Sequence, residues 1–464
     1  MKVTDLMKLG EKALKLFDEY IVEKSITPQM RVYIRHFPTE LEISETNCRC
    51  QSSSEIIQKP DWAKTIFDFM EEKIRSMPEF KQLNQSISKR YKNSINRLAK
   101  GCNEISQSAF WLETFIQRLI YEKLEGKLSE DSIIEYASLF KSEMELSSTE
   151  YRYVHYLDGI LLETDSIKIN DNVRIRKTQK SDLEYTRDIF FDIPISRYGG
   201  MPLSILEIEI FAKDEKDCHE YVDRIFNSLR LYKLGSIYSQ ESISTKRTII
   251  WPAGQSRGWS NLNYSTFRKY TVKESEVDTF VNFMNSIAQK LNFDKEEKRF
   301  RSLHISIERY NSALLESIDI DRKLMTAVMG LESLFTFEKD RGENAFKLGF
   351  RVAKLLGYLN FDAEKVRALT EKAYNFRNKV VHGSYISQEG RKEMNEIFPN
   401  ILNYLRASLI IFLLNQEVDK DKMVEMIDKS MINYSYDEKS RESLEKNIGK
   451  FMVVFDSVNL SHLL

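Results

Sequence analysis

The chain has 464 residues, with 69 Lys plus Arg against 70 Asp plus Glu, and only 8 Pro and 16 Gly. That length exceeds one ordinary core and argues for two or three domains. The balanced charge excludes a globally basic nucleic-acid binder, so any such site must be local; the low Pro and Gly content with 30% charged residues favours helices over turn-rich β structure.

Cys48, Cys50, Cys102 and Cys218 are too few and too scattered for a disulfide scaffold. The opening MKVTDLMKLGEKALKLF reads as an amphipathic helix with charges throughout rather than a signal peptide. The most apolar stretch, Leu409 to Leu414, is far short of a membrane span. The expectation is a soluble cytoplasmic protein without a membrane partner.

Residues 1–150 read as a mostly helical N-terminal region. A less regular stretch holds Cys48, Cys50 and SSSE, and helices follow from Pro60, Asn84, Ser108 and Ser129. One helix carries Lys81, Lys89, Arg90, Lys92, Arg97 and Lys100 with no acid between Lys81 and Asn103. An RNA-facing surface is one reading. The stripe of Leu83, Ile87, Tyr91, Ile95 and Leu98 favours a plain solvated face on its far side.

Residues 151–292 form a mixed α/β domain. YRYVHYLDGILLETDSIKINDNVRIRKT alternates β-branched residues between Asp-Gly and Asn-Asp turns and predicts strands, as do SILEIEIFA and TKRTIIWPA. Helices are predicted over Asp214 to Leu234 and Lys273 to Leu291, and NFDKEEK reads as a linker. From Lys298 onward the pattern is helical, near 298–317, 321–337, 343–357, 362–382 and 391–415. Short connections make residues 293–464 a compact antiparallel helical bundle. The fold class is α+β, mainly α.

The stretch KVRALTEKAYNFRNKVVHG, Lys365 to Gly383, organises the functional reading. Val366, Leu369, Ala373, Phe376 and Val380 recur at spacings of three and four, one buried helical stripe. Asp362 suits an N-cap and Gly383 a left-handed stop. On that frame hang Arg377, Asn378 and His382 at one helix end, with Asn378 and His382 four apart on one face. A base, an amide and a fixed cation suggest chemistry on a phosphate. A helix-terminal histidine meeting the carbonyl dipole is the equally weighted structural alternative.

The same Arg-to-His spacing occurs at Arg31–His36, in a β-like stretch running into a proline, and at Arg299–His304, at the start of a helix with a structural apolar face. Only Arg377 is followed by a polar amide. Gly254-Gln255-Ser256-Arg257-Gly258 matches the serine-hydrolase elbow, but turn formers follow it where the elbow needs a helix, so a loop is expected. The six His are dispersed, Cys48 and Cys50 have no partner pair, and no phosphate-binding glycine loop occurs, so neither metal nor cofactor is expected.

Three segments, ERYNSALLESIDIDRKLMTAVMGLESLF, GENAFKLGFRVAKLLG and AYNFRNKVVHG, occur in order between Glu308 and Ser384. In this the C-terminal third resembles the HEPN superfamily, most closely its ApeA-like branch, and LDGILLETDSIKINDNVRIRKTQKSDLE resembles a region that often precedes such domains. The resemblance implies a bundle of HEPN type and a metal-independent ribonuclease using an R-x4–6-H motif, here Arg377 and His382 with Asn378 as the polar follower. It implies a toxin or anti-phage defence effector that acts on RNA as a homodimer, with a phage-derived trigger as a candidate partner. Some members are inactive, so a non-catalytic helical module binding RNA or protein stands as the alternative. Hydrolysis through Ser256 is a third, weaker idea.

The residues agree with that chemistry. RNA carries its own nucleophile in the 2′-hydroxyl. An imidazole with an ordinary pKa of about 6.5 can move a proton near neutrality, and a guanidinium can hold a phosphate oxygen through paired donors. One His per chain serves only one half of an acid–base pair, which a two-fold dimer completes. Glu332, in GLESLF, is a candidate partner for an Arg of the motif, with a plain intrahelical or surface role equally open.

Overall fold

The computed structural model describes residues 2–43, 48–91, 104–146, 149–183, 185–188, 204–212, 215–247, 256–259, 269–316, 319–337, 340 and 342–456. The architecture is α+β and mainly α.

The first helix, α1 (Val3–Glu23), buries Leu6, Leu9, Ala13, Phe17 and Tyr20 at spacings of three and four. Two long strands follow, β1 (Gln29–Ile43) and β2 (Cys48–Asp61), paired antiparallel from Gln29↔Asp61 to Ile43↔Cys48. The stretch expected to be less regular is thus the returning arm of a hairpin. Its residues CRCQSSSE lack the apolar alternation that marks a half-buried strand, so period-two reasoning had nothing to detect. Helices α2 (Ala63–Phe69), α3 (Pro78–Arg90), α4 (Glu104–Leu124) and α5 (Glu130–Glu145) then close on α1. Their buried residues, among them Phe69, Ile87, Phe115 and Phe140, form one cluster with those of α1. On α3, Lys81, Lys89 and Arg90 are exposed opposite buried Phe80, Leu83 and Ile87; Lys92, Ile95, Arg97, Leu98 and Lys100 lie outside the described residues.

The middle of the chain supplies β3 (Thr149–Asp158), β4 (Ile160–Leu162), β5 (Ser166–Asn170), β6 (Val173–Lys177), β7 (Tyr185–Asp188) and β8 (Ser204–Ala212). After these come α6 (Glu215–Tyr232), β9 (Tyr238–Arg247), β10 (Ser256–Trp259), β11 (Tyr270–Val272) and α7 (Val277–Lys290). Six strands form an antiparallel sheet in the order β10-β9-β3-β8-β6-β5. Tyr153 and His155 of β3 meet α6, with the His155 ring 5.1 Å from Phe226 and the Tyr153 ring 5.9 Å from His219. The Asp-Gly turn after β3 is tight: Gly159 sits at φ +87°, and Asp158 Oδ1 accepts from its N–H at 2.8 Å. Strand β7 leaves this sheet and pairs with β1, a link between the hairpin arm and the middle region.

Helices α8 (Arg301–Leu315), α9 (Ile320–Phe335), α10 (Asn344–Gly357), α11 (Ala363–Val381) and α12 (Gln388–Leu414) form the bundle, followed by α13 (Lys420–Ser430), α14 (Tyr434–Ile448) and α15 (Met452–Asp456). From Ile401 to Leu414 every residue of α12 is buried, as expected of a helix surrounded on all sides. By length and composition α12 could cross a membrane, contrary to the expectation of no such stretch, yet 89% of its apolar window is buried inside the protein. One cluster of buried residues runs from Tyr151 to Phe455, so the sheet, α6, α7 and the bundle share a core.

Two buried arginines fasten that core. Arg406, fully buried on α12, donates to the carbonyls of Leu231 (2.8 Å), Tyr232 (2.9 Å) and Val454 (3.3 Å) and to Asn403 Oδ1 (2.9 Å). It thereby caps the C-terminal end of α6 from within the bundle. Arg351 on α10 makes a two-pronged contact with Asp428 at 2.8 and 2.9 Å and a further one with Asp340 at 2.7 Å.

Candidate active site

Helix α11 forms as its sequence dictates. Asp362 caps the first turn, its Oδ1 accepting from the Lys365 N–H at 3.1 Å. Val366, Thr370, Ala373, Tyr374 and Phe376 are buried, and Leu369 and Val380 pack partly against the core. At the other end Gly383 takes φ +66°. The Ser384 N–H then reaches the Lys379 carbonyl at 2.8 Å and the Gly383 N–H that of Val380 at 3.1 Å, the paired bonds of a glycine-terminated helix.

Arg377, Asn378 and His382 occupy this last turn and a half. His382 is the capping residue itself, exposed, with its N–H donated to the Asn378 carbonyl at 3.0 Å. Arg377 is half-buried. Its Nη2 lies 3.2 Å from Glu332 Oε2 on α9, and its Nη1 donates to Asn378 Oδ1 at 3.0 Å. Its Nε is buried with no hydrogen-bond partner, and the guanidinium lies 5.5 Å from the centre of the Tyr374 ring. The cation is therefore fixed on three sides, while the histidine stands free at the surface.

The electrostatics cut both ways. Burial raises the Glu332 carboxyl above its ordinary value, against the opposing pull of Arg377. The Glu332 carboxylate also neutralises the guanidinium that a phosphate would need. The carbonyl end of α11 favours cations, and Arg377, Lys379 and His382 gather there. A phosphate approaching this helix end would find the imidazole exposed and the guanidinium half-buried, with Nη1 on Asn378 and Nη2 beside Glu332.

The structure brings Arg377 together with Asn378 and Glu332, and sets His382 on the same turn. The Asn378 side-chain oxygen is used by Arg377, so Asn378 positions the guanidinium rather than the imidazole. Sequence reasoning passed over Tyr374. It lies one turn before Arg377 on the same face, and both burial and the Glu332 charge raise its hydroxyl pKa. The signal was its three-residue spacing from Arg377.

The similar spacings elsewhere lead to unlike surroundings. Arg31 and His36 lie on β1, where Arg31 pairs with Asp61 at 3.3 Å. Arg299 donates to the Gln416 carbonyl and lies over Phe300, and His304 approaches Glu308 at 3.4 Å. Ser256 opens β10, its backbone paired with Ser244 of β9, so the expected loop is a strand from the serine onward. Gly254 and Gln255 lie outside the described residues. A nucleophile elbow turns from strand to helix at the serine, whereas here the chain runs as strand from Ser256 to Trp259. Among the described residues no group of three or more His, Cys, Asp or Glu is placed to hold a metal ion. No family model matches this chain, and no curated protein or solved structure matches it either.

Proposed function

We propose that this chain is a metal-independent endoribonuclease of HEPN type, a cytoplasmic toxin or anti-phage effector that works as a homodimer. The observation that carries the reading is the last turn and a half of α11, where one helix end carries both an exposed imidazole, His382, and a guanidinium, Arg377, held by Glu332 and Asn378. His382 takes a proton from the 2′-hydroxyl, or returns one to the 5′-oxygen that leaves. Arg377 steadies the charge building on the non-bridging phosphate oxygens. The two-fold mate contributes the second imidazole, so one cleft holds both an acid and a base. The products carry a 2′,3′-cyclic phosphate and a 5′-hydroxyl. The test is an RNA oligomer and its all-deoxy counterpart incubated with the protein in excess chelator. Cyclic-phosphate ends on the RNA and an intact DNA support the reading, and 3′-hydroxyl ends or dependence on a divalent ion refute it.

A second reading has its own observation. The Arg377–Glu332 pair neutralises the cation, and the paired carbonyls of the helix end lie beneath His382. Both suit a non-catalytic helical module that binds RNA or a protein partner. On that reading no RNA cleavage appears at any protein concentration, and Arg377→Ala leaves binding unchanged.

A further inference from the structure

Away from α11, a cleft of about 230 Å³ opens where α6, the turn after α7 and α8 meet. Its wall carries a relay of side chains. Arg230 donates to Asn311 Oδ1 at 3.3 Å, and Asn311 Nδ2 donates to Asn227 Oδ1 at 2.8 Å. Among the described residues the relay ends there, with the Asn227 amide N–H₂ left over. Arg224, one turn before Asn227, donates to Asn292 through Nη1, but its Nε is buried with no hydrogen-bond partner. Burial pulls the Arg224 guanidinium below its usual pKa, with weaker compensation from Tyr221 and Glu220. Arg224 is partly exposed in the cleft wall, and among the described residues no carboxylate lies within ion-pair distance of its guanidinium, so its outer N–H groups can take an anion.

Three cations line the cleft, Arg224, Arg230 and Lys295, and three carboxylates, Glu220, Asp223 and Glu308, face the same space. That balance disfavours a polyanion such as an RNA backbone, which the carboxylates would repel. It suits a compact molecule with one anionic group for the guanidinium and several hydroxyls for the carboxylates and amides. The volume lies below that of drug-sized pockets, which start near 300 Å³. We propose that this cleft binds a small hydroxylated phosphate monoester, with Arg224 holding the phosphate and the Asn227–Asn311 pair and Glu308 reading the hydroxyls. A phosphate offers the paired acceptors that match a guanidinium fork. The assignment stands apart from the ribonuclease reading, and its test does not depend on cleavage.

The experiment is calorimetric titration of the full chain with ribose 5-phosphate as probe, and with inorganic phosphate and ribose as its separate halves. Ribose 5-phosphate is expected to bind, with each half at least about tenfold weaker and Arg224→Gln at least about tenfold weaker for the whole probe. If Arg224→Gln does not fold by circular dichroism, Lys295→Gln, on the exposed lip, takes its place and is expected to weaken binding about threefold. Absence of heat up to about 10 mM probe overturns the proposal, because such an affinity is too weak for a specific site. So do equal affinities for phosphate alone and for the whole probe, or equal affinities of wild type and the folded variant.

Discussion

Replacing Arg406 by Met is the most informative perturbation of the fold. The side chains are similar in length, so the substitution removes the guanidinium without opening a large hole. Arg406 is fully buried, and burial lowers its pKa. Among the described residues no carboxylate accepts from it; its four acceptors there are three backbone carbonyls and one amide oxygen. Hydrogen bonds from a charged donor contribute about 1.5–3 kcal/mol each, and the desolvation of the ion offsets several kcal/mol of that sum. The wild-type arrangement is therefore only modestly favourable. Its loss is worse than that balance suggests, because the carbonyls of Leu231, Tyr232 and Val454 stay buried without partners, at about 1–3 kcal/mol each. With partial relaxation, Arg406→Met should destabilise by about 3–5 kcal/mol. The assay is urea unfolding with hydrogen exchange. Amides at the end of α6 and along α12 should lose protection, while those of α1, α4 and α5, in the separate cluster, should not. A loss below about 1 kcal/mol, or equal loss in both clusters, would refute the view that this arginine ties the sheet region to the bundle.

Three further outcomes follow from the geometry. Gly159→Ala should destabilise by about 3 kcal/mol or more in thermal unfolding, since a Cβ would stand 2.4 Å from the Ser236 carbonyl oxygen at a positive φ. Buried His155 titrates at about 4 instead of 6.5, so between those values the unfolded chain binds the extra proton and stability falls as pH drops. That slope totals about 3 kcal/mol, and His155→Phe should flatten it in urea unfolding measured across pH 4–7. Arg377→Ala should lower single-turnover RNA cleavage about 10²–10³-fold and cost about 1–2 kcal/mol of stability as Glu332 loses its partner, and Arg377→Lys should recover only part of the cleavage, because an ammonium lacks the fork.

Helices of the bundle were legible because their apolar residues repeat cleanly and their ends carry capping signals. Asp362 and Gly383 bound α11 as their chemistry dictates. The strands β3, β5, β6 and β8 were legible for the matching reason, alternation between turn residues. Of the hairpin, RVYIRHFP in β1 was legible as β-like, but the returning arm β2 was not, since CRCQSSSE has no apolar period to read. Nor was the tie between α6 and the bundle, because Arg406 sits 174 residues from Tyr232 and nothing local distinguishes a buried arginine from a surface one. At the site, spacing placed Arg377, Asn378 and His382 on one helix end. It could not choose between the two roles of Glu332, which depend on how α9 packs against α11. The apolar length of α12 was underestimated because Arg406, Asn403 and Asn415 break the run in sequence, although all three are buried in the fold.

The most direct test of the central claim compares wild type with His382→Ala on total RNA in excess chelator at neutral pH. The exposed position of His382 means that the substitution leaves the core untouched, so both proteins should melt alike. Cleavage by wild type and none by His382→Ala is the predicted result; equal cleavage by both would contradict the account.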